Sequence, residues 1–384
     1  MARQSEAGAA ILKVALVVGT RPEAIKLAPV YRSLKAAGAQ PVVLLTGQHD
    51  TLLDPLIGLF GFERRIDLAA RKPGDTLTGF AAHGLEQLGQ CLDAEAFDAV
   101  VVQGDTTSAL VGALAGAYAG IPVAHIEAGL RSGERDNPFP EDLNRRMIAE
   151  TADWHFAPTE GAAQNLRREG FDRGIYVVGN TVVDAALWVA DMTSTEELVR
   201  QRFPQLRERP HVLATAHRRE SFGRPMEAIA EAIAEISLRE SGTAFIVPLH
   251  PNPNASQPLV DRLCGIANVE LTEPLSYPLT IGLVAGARMI LTDSGGLQEE
   301  APCFGVPVLV LRDVTERPEG IEAGCSRLAG TTTKGIVEVF ERWKMEGHRP
   351  PQTNPYGDGR SGERIASILL HGWLAAGRPA SSAA

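Results

Sequence analysis

Short, β-branched apolar runs recur along the first half of the chain, each followed by a longer segment whose apolar residues fall at helical spacing. The runs are Leu12–Val18, Val42–Leu45, Ala99–Val102, Val123–Ile126, His155–Ala157 and Ile175–Val178. The second half repeats the layout without repeating the sequence, with runs at His211–Ala214, Ala244–Pro248, Val269–Thr272, Met289–Thr292 and Val306–Leu311. Near-continuous apolar runs of strand length predict strands covered on both faces, and so parallel sheets flanked by helices. Strand alternating with helix through both halves predicts an α/β fold of two doubly wound, Rossmann-like domains. The two domains are expected to join near Thr181–Pro210, where the polar stretch 193–209 is the boundary or an inserted helix, giving domains at 11–190 and 191–362. A last helix over 363–376 is expected to pack back on the first domain. Residues 350–362 are rich in Pro, Gly and Asn, and both extreme termini (Met1–Ala10 and Gly377–Ala384) are expected to be disordered. Ligands of open parallel sheets gather beyond the carboxyl ends of the strands. Two such sheets predict a ligand in the cleft between them.

Composition narrows the class. At 384 residues, with 44% hydrophobic and 22% charged residues, the chain is expected to be a soluble globular protein of two ordinary domains. A net charge of −10 argues against nucleic-acid binding, so any phosphate site must be a local basic cluster. Cys91, Cys264, Cys303 and Cys325 are scattered without a CxxC pair and read as free thiols of a reducing compartment. No apolar run reaches membrane-spanning length and no leader pattern opens the chain, which predicts a cytoplasmic protein that does not bind membranes.

The candidate chemistry stands where strands end. The run at Met289–Thr292 empties into Asp293-Ser294-Gly295-Gly296, then into a segment carrying Glu299 and Glu300. Ser-Gly-Gly at a helix start leaves backbone N–H groups free for an anion, most naturally phosphate. Arg312 and Arg317, past the next strand, offer forked donors that could complete a diphosphate clamp. A plain tight turn is the alternative reading of Gly295-Gly296. The first strand ends in Gly19-Thr20-Arg21-Pro22, and Lys26 follows within the helix, so Arg21 and Lys26 are either ligand contacts or solvated charges. Asp105 and Glu127 stand at the ends of two adjacent strand candidates, which favours a working pair over a helix cap. Glu141, like Asp142 beside it, is equally consistent with a helix N-terminal acid. His217 and His250 end successive strands without metal-ligand spacing. No metal is expected, and His217, beside Arg218, reads as a phosphate contact or an acid. No GxGxxG follows a strand, and both GxxxxGK[ST] and GxSxG are missing, so no cofactor is expected.

Taken together, these motifs resemble the bacterial UDP-N-acetylglucosamine 2-epimerases of the non-hydrolysing type. The resemblance rests on GTRPEAIKLAPV (Gly19–Val30), TGQH (Thr46–His49), QGDTTSAL (Gln103–Leu110), HIEAGLRSG (His125–Gly133) and PFPEDLNRR (Pro138–Arg146). It continues in VGNTVVDA (Val178–Ala185), HRRESFGR (His217–Arg224), DSGGLQEEAP (Asp293–Pro302), RDVTERPEG (Arg312–Gly320) and NPYGDG (Asn354–Gly359). It implies a GT-B-like fold, a homodimer, and interconversion of UDP-GlcNAc and UDP-ManNAc for polysaccharide biosynthesis without a redox cofactor. By the same resemblance Arg21, Lys26, His217, Ser294, Gly295, Gly296, Glu300 and Arg317 hold UDP, with Glu300 on the ribose hydroxyls and the others around the diphosphate. Asp105, Glu127 and Glu141 match the acid/base carboxylates, and His217 is counted with them. Two departures stand out. Leu275 and Thr280 occupy places where many members carry a Gln and an aromatic residue beside the uracil. Gly74-Asp75 replaces an Arg-Gln pair that in some members binds UDP-GlcNAc as an activator.

The C2 proton of the sugar is not next to a carbonyl and is very weakly acidic, so direct removal is implausible. Elimination of UDP to a 2-acetamidoglucal, followed by re-addition, is the easier path, and it needs a held diphosphate and more than one carboxylate around the ring. The competing readings are a hydrolysing 2-epimerase that releases UDP and ManNAc, a GT-B glycosyltransferase, and a silent nucleotide-sugar sensor.

Overall fold

The computed structural model describes residues 11–47, 53–72, 74–132, 139–192, 194–348, 350 and 353–375. Gln48, His49, Gly133 and Pro138 of the quoted motifs, and both extreme termini, lie outside the described residues. The chain divides into two compact units: 1–181 together with 359–384, and 182–358. The division falls at the start of the helix Thr181–Met192, upstream of the polar stretch that suggested a boundary after 190.

The first unit is built on a seven-stranded parallel sheet. Its strands are β1 (Lys13–Val18), β2 (Gln40–Leu45), β3 (Arg65–Asp67), β4 (Ala99–Gln103), β5 (Val123–Ile126), β6 (Trp154–Ala157) and β7 (Ile175–Val177), in spatial order β3-β2-β1-β4-β5-β6-β7. The second unit has six: β8 (His211–Thr215), β9 (Ala244–Pro248), β10 (Val269–Thr272), β11 (Met289–Thr292), β12 (Val308–Val310) and β13 (Ser326–Leu328). Their order is β10-β9-β8-β11-β12-β13. Both sheets thus carry the doubly wound order that reverses direction beside their first strand.

Alternation along the strands shows why the runs are apolar throughout. In the second unit Val212, Ala214, Phe245, Val247, Met289 and Leu291 join one core, with Ile229, Ile233, Phe340 and Trp343 from the covering helices. The intervening Leu213, Ile246 and Ile290 point the other way, into a core with Phe203, Leu283 and Val284. Successive side chains on a strand face opposite sides, so both faces of this sheet are sealed and both parities must be apolar.

β3 and β13 were not expected from the sequence. Both are three-residue edge strands with mostly part-exposed or exposed side chains, and so leave no apolar run. The strand expected over Val306–Leu311 is shorter, β12 spanning Val308–Val310. The closing helix Ser361–Ala375 packs on the helix Arg21–Ala36 of the same unit. Gly362 permits that approach, because a Cβ there would stand 2.8 Å from the Pro29 carbonyl oxygen.

Candidate active site

In the first unit, β1, β4 and β5 are neighbours, so the loops leaving them share one rim of the sheet. The helix Arg21–Ala36 begins at the end of β1, with Thr20 in extended conformation before it, Pro22 in its first turn and Glu23 closing a capping box. This sets Lys26 against the β5 end, where its Nζ lies 2.7 Å from Glu127 Oε2, both side chains being buried. Gln103, the last residue of β4, donates a short hydrogen bond from Nε2 to the same Glu127 oxygen. Glu127 holds this position with φ +67, a left-handed conformation that a non-glycine residue adopts only at a cost of about 1–3 kcal/mol.

Asp105 is fixed by a different cation. Arg145 Nε donates to Asp105 Oδ2 at 2.8 Å, and Arg145 Nη2 approaches the same oxygen at 2.5 Å. Asn144 Nδ2 donates to the Asp105 carbonyl oxygen at 2.8 Å, and the ring nitrogen Nε2 of His125 lies 2.7 Å from the Gly104 carbonyl oxygen. Burial drives the His125 pKa down to about 3, so the ring is neutral and Nε2 is the donor in that pair. Glu141 opens the helix Glu141–Thr151, and its Oε2 is buried with no hydrogen-bond partner among the described residues. The neighbouring Asp142 is the structural acid of the two. It is fully buried and accepts from Ser132 N at 3.1 Å and Arg146 Nε at 2.9 Å. Arg21 is half-buried and makes no hydrogen bond or ion pair among the described residues.

In the second unit, β11 runs into Asp293-Ser294, and the short helix Gly295–Glu300 follows. Asp293 is fully buried and accepts from the backbone N–H groups of His217 (2.7 Å) and Arg218 (2.8 Å). The end of β8 is thereby pinned beside the end of β11. His217 Nδ1 stands 3.4 Å from Asp293 Oδ1, and its ring stacks on His250 with centroids 5.4 Å apart. Burial and the His217 charge lower the pKa of His250. Arg317 is buried between two acids, with Nε donating to Glu299 Oε1 at 2.9 Å and Nη1 to Glu316 Oε2 at 2.8 Å. Its guanidinium lies flat against Gly295, where a Cβ would come within 2.7 Å of the Arg317 Cζ. Around Gly296 only the Ser294 Oγ, 3.9 Å away, falls within reach of such a Cβ. Glu300 Oε1 accepts from the buried hydroxyl of Tyr277 at 3.0 Å. Burial, and then the Glu300 charge, push the Tyr277 pKa well up, keeping it a neutral donor. Leu275 packs against the core beneath and Thr280 bonds its own helix, at Ser276 O. Arg312 pairs with Glu220 at 2.8 Å.

Each unit thus brings its own share of the expected residues to the ends of its strands. Lys26, expected on a diphosphate, is committed to Glu127 here. The partners that fix these groups (Gln103, Arg145, Asp293 and Tyr277) were not singled out as such from the sequence. Three of them lie inside the quoted motifs, but their partners are 24, 40 and 76 residues distant. Among the described residues no cluster of metal-ligating side chains occurs, and no helix is long and apolar enough to cross a membrane.

Comparison with known proteins points one way. The model of a family described as UDP-N-acetylglucosamine 2-epimerase matches residues 32–370. A UDP-N-acetylglucosamine 2-epimerase of Salmonella typhimurium is 44% identical over 370 residues, which is 93% of this chain and 98% of that protein. The enzyme of the same name from Escherichia coli K12 is 43% identical over equal shares of the two chains. Among solved structures, the UDP-GlcNAc 2-epimerase from Neisseria meningitidis bound to UDP-GlcNAc superposes with a TM-score of 0.89 at 39% identity, covering 94% of this chain and 100% of that one. That of Methanocaldococcus jannaschii in complex with UDP-GlcNAc and UDP gives 0.82 at 35% identity, over 94% of this chain and 100% of the other. With the family model matching residues 32–370 and a relative 44% identical over almost the whole of both chains, the chain belongs to the UDP-N-acetylglucosamine 2-epimerase family.

Proposed function

We propose that this chain interconverts UDP-N-acetylglucosamine and UDP-N-acetylmannosamine by eliminating UDP to 2-acetamidoglucal and adding it back, without net hydrolysis. The observation that carries the reading is the pair of cation-held carboxylates, Asp105 with Arg145 and Glu127 with Lys26, at the ends of adjacent strands in a member of this family.

The first unit supplies the proton chemistry. Inverting C2 requires a proton to leave one face and return to the other, which one fixed group cannot easily do. Asp105, Glu127 and Glu141 share that work, with His217 of the second unit counted beside them. Lys26 has two uses in this scheme: it holds Glu127 in the ground state and offers positive charge as the diphosphate departs. The second unit holds UDP, through the backbone N–H groups of Gly295 and Gly296, the Ser294 hydroxyl, the arginine packed on Gly295, and Glu300 on the ribose. Arg21 adds a guanidinium that pairs with no other side chain among the described residues. The protein acts as a cytoplasmic homodimer in this reading, which light scattering on the purified chain checks.

Incubation with UDP-GlcNAc in deuterated water, followed by proton NMR, tests the reaction. Deuterium at C2 and growth of UDP-ManNAc are expected. Accumulating free N-acetylmannosamine with UDP would instead make this a hydrolysing enzyme, and turnover without C2 exchange would make it a transferase.

A further inference from the structure

Glu23 has none of the roles assigned above, yet it is 1% exposed and receives four hydrogen bonds. Its Oε2 accepts from Gly19 N (2.8 Å), Thr20 N (2.6 Å) and Thr20 Oγ1 (3.0 Å), and its Oε1 accepts from Thr106 Oγ1. A helix capping box explains the bonds to Thr20 and nothing more. The bond from Thr106 crosses 83 residues of sequence and joins the first turn of the helix that follows β1 to the loop that follows the neighbouring strand β4. Arg21 directly follows the β1 side of this junction, and Asp105 directly precedes the β4 side.

The surroundings leave little slack. A Cβ on Gly19 would stand 1.9 Å from Ser108 Oγ and 2.6 Å from Thr46 Oγ1, and those two hydroxyls lie 2.8 Å apart. The segments that follow β2, β1 and β4 therefore meet here, and Glu23 accepts from donors on two of them. Burial raises its pKa to about 7 against the lowering effect of all four donors. The ionised carboxylate is acceptor-only and takes all four donors, whereas an amide would put an NH₂ group at one end and keep that end's contact only if the Thr106 hydroxyl turned from donor to acceptor.

We propose that Glu23 is a positioning residue that locks the start of the helix bearing Arg21 and Lys26 to the loop bearing Asp105, keeping the leaving-group and proton-transfer groups in register. The kinetic consequence rests on the epimerase reading; the tie itself does not.

The test is a double-mutant cycle of Glu23→Gln and Thr106→Ala, with Thr106→Ser as the conservative variant. Each parent and variant is assayed for turnover and C2 deuterium exchange on UDP-GlcNAc. Backbone amide exchange of the segment around Gly19–Arg21 is followed by mass spectrometry on the same samples. Displacements of an ångström at a reacting centre cost on the order of 10²-fold, so Glu23→Gln and Thr106→Ala should each lower kcat by roughly 10- to 100-fold with KM within about threefold. The double variant should be no slower than the slower single one, and Thr106→Ser should stay near the parent. Loss of the Thr106 helix cap alone would act independently of Glu23, so effects that multiply in the double variant would overturn the proposal. Unchanged kcat in both single variants would do the same. Should the parent show no C2 exchange at all, the epimerase reading falls by itself. The tie is then judged by amide exchange: faster exchange around Gly19–Arg21 in Thr106→Ala upholds it, and unchanged exchange removes it. If Glu23→Gln does not fold, the contrast between Thr106→Ala and Thr106→Ser decides.

Discussion

At the ends of β4 and β5 the chain presents Asp105 and Glu127, each met by a basic side chain, whereas past the end of β11, beyond the buried Asp293 and Ser294, it presents two glycines at a helix start. The first rim is assembled from side chains that reach across the sheet, as Lys26 does to Glu127 over 101 residues of sequence. The second depends on something being missing: Arg317 can lie on the helix start only because Gly295 has no Cβ. A rim of paired charges suits proton movement, since its groups can change protonation against fixed partners. A rim of peptide N–H groups and one guanidinium suits an anion that must be gripped the same way before and after reaction. If that contrast is functional, variants on the two rims should fail in different ways.

The largest effect should come from the first rim. Asp105→Asn and Glu127→Gln keep shape but lose the basic oxygen, and each should reduce turnover on the order of 10²- to 10⁴-fold while UDP binding persists. Steady-state assays beside calorimetric titration with UDP make the separation visible; a matched loss of UDP affinity would erase the contrast. Next, Lys26→Met leaves Glu127 a buried carboxylate without its cation. This should lower unfolding stability by about 3 kcal/mol, read from urea denaturation. On the second rim, Gly295→Ala would thrust a Cβ against the Arg317 guanidinium. UDP affinity should fall roughly tenfold, about 1.4 kcal/mol, with a smaller change in kcat at saturating substrate.

The smallest effect is a cancellation within the first unit. His125, held near a pKa of 3, binds fewer protons folded than unfolded, so its contribution is complete above about pH 6.5 and is lost as pH falls. Glu23, raised to about 7, binds more protons folded than unfolded, so its contribution is complete below about pH 4.5 and is lost as pH rises towards 7. Between roughly pH 4.5 and 6.5 the two slopes oppose each other. Glu23→Gln should therefore expose a stability that climbs with pH across this window, in urea midpoints taken at half-unit steps. A flat profile in that variant would mean that His125 does not titrate as its burial dictates.

Much of this architecture could be read from the chain because the sheets are sealed on both faces. Val123–Ile126, Ala244–Pro248, Val269–Thr272 and Met289–Thr292 are strands with the bounds their apolar runs suggest. β3 and β13 escaped because an edge strand with exposed side chains carries no such run. The position of Asp105 and Glu127 was legible for the same reason, since Glu127 follows its apolar run at once and Asp105 follows Ala99–Val102 after two residues. Their partners were not. Arg145 and Lys26 look like any helical surface charge until the strand order brings β1, β4 and β5 side by side, and periodicity says nothing about strand order. Tyr277 on Glu300 is a similar case, a contact between two helices that no local pattern announces.

The return of Ser361–Ala375 to the first unit makes the second unit an insertion, entered once at 181/182 and left once at 358/359. During synthesis the second unit is complete on the nascent chain before the first is. Until the last residues emerge, the helix Arg21–Ala36 lacks the partner that covers it, so the unit begun first is finished last. A transcript truncated after residue 358 would therefore yield an intact second unit attached to a first unit with an uncovered helix. The apolar surface exposed on such a product makes it prone to aggregate.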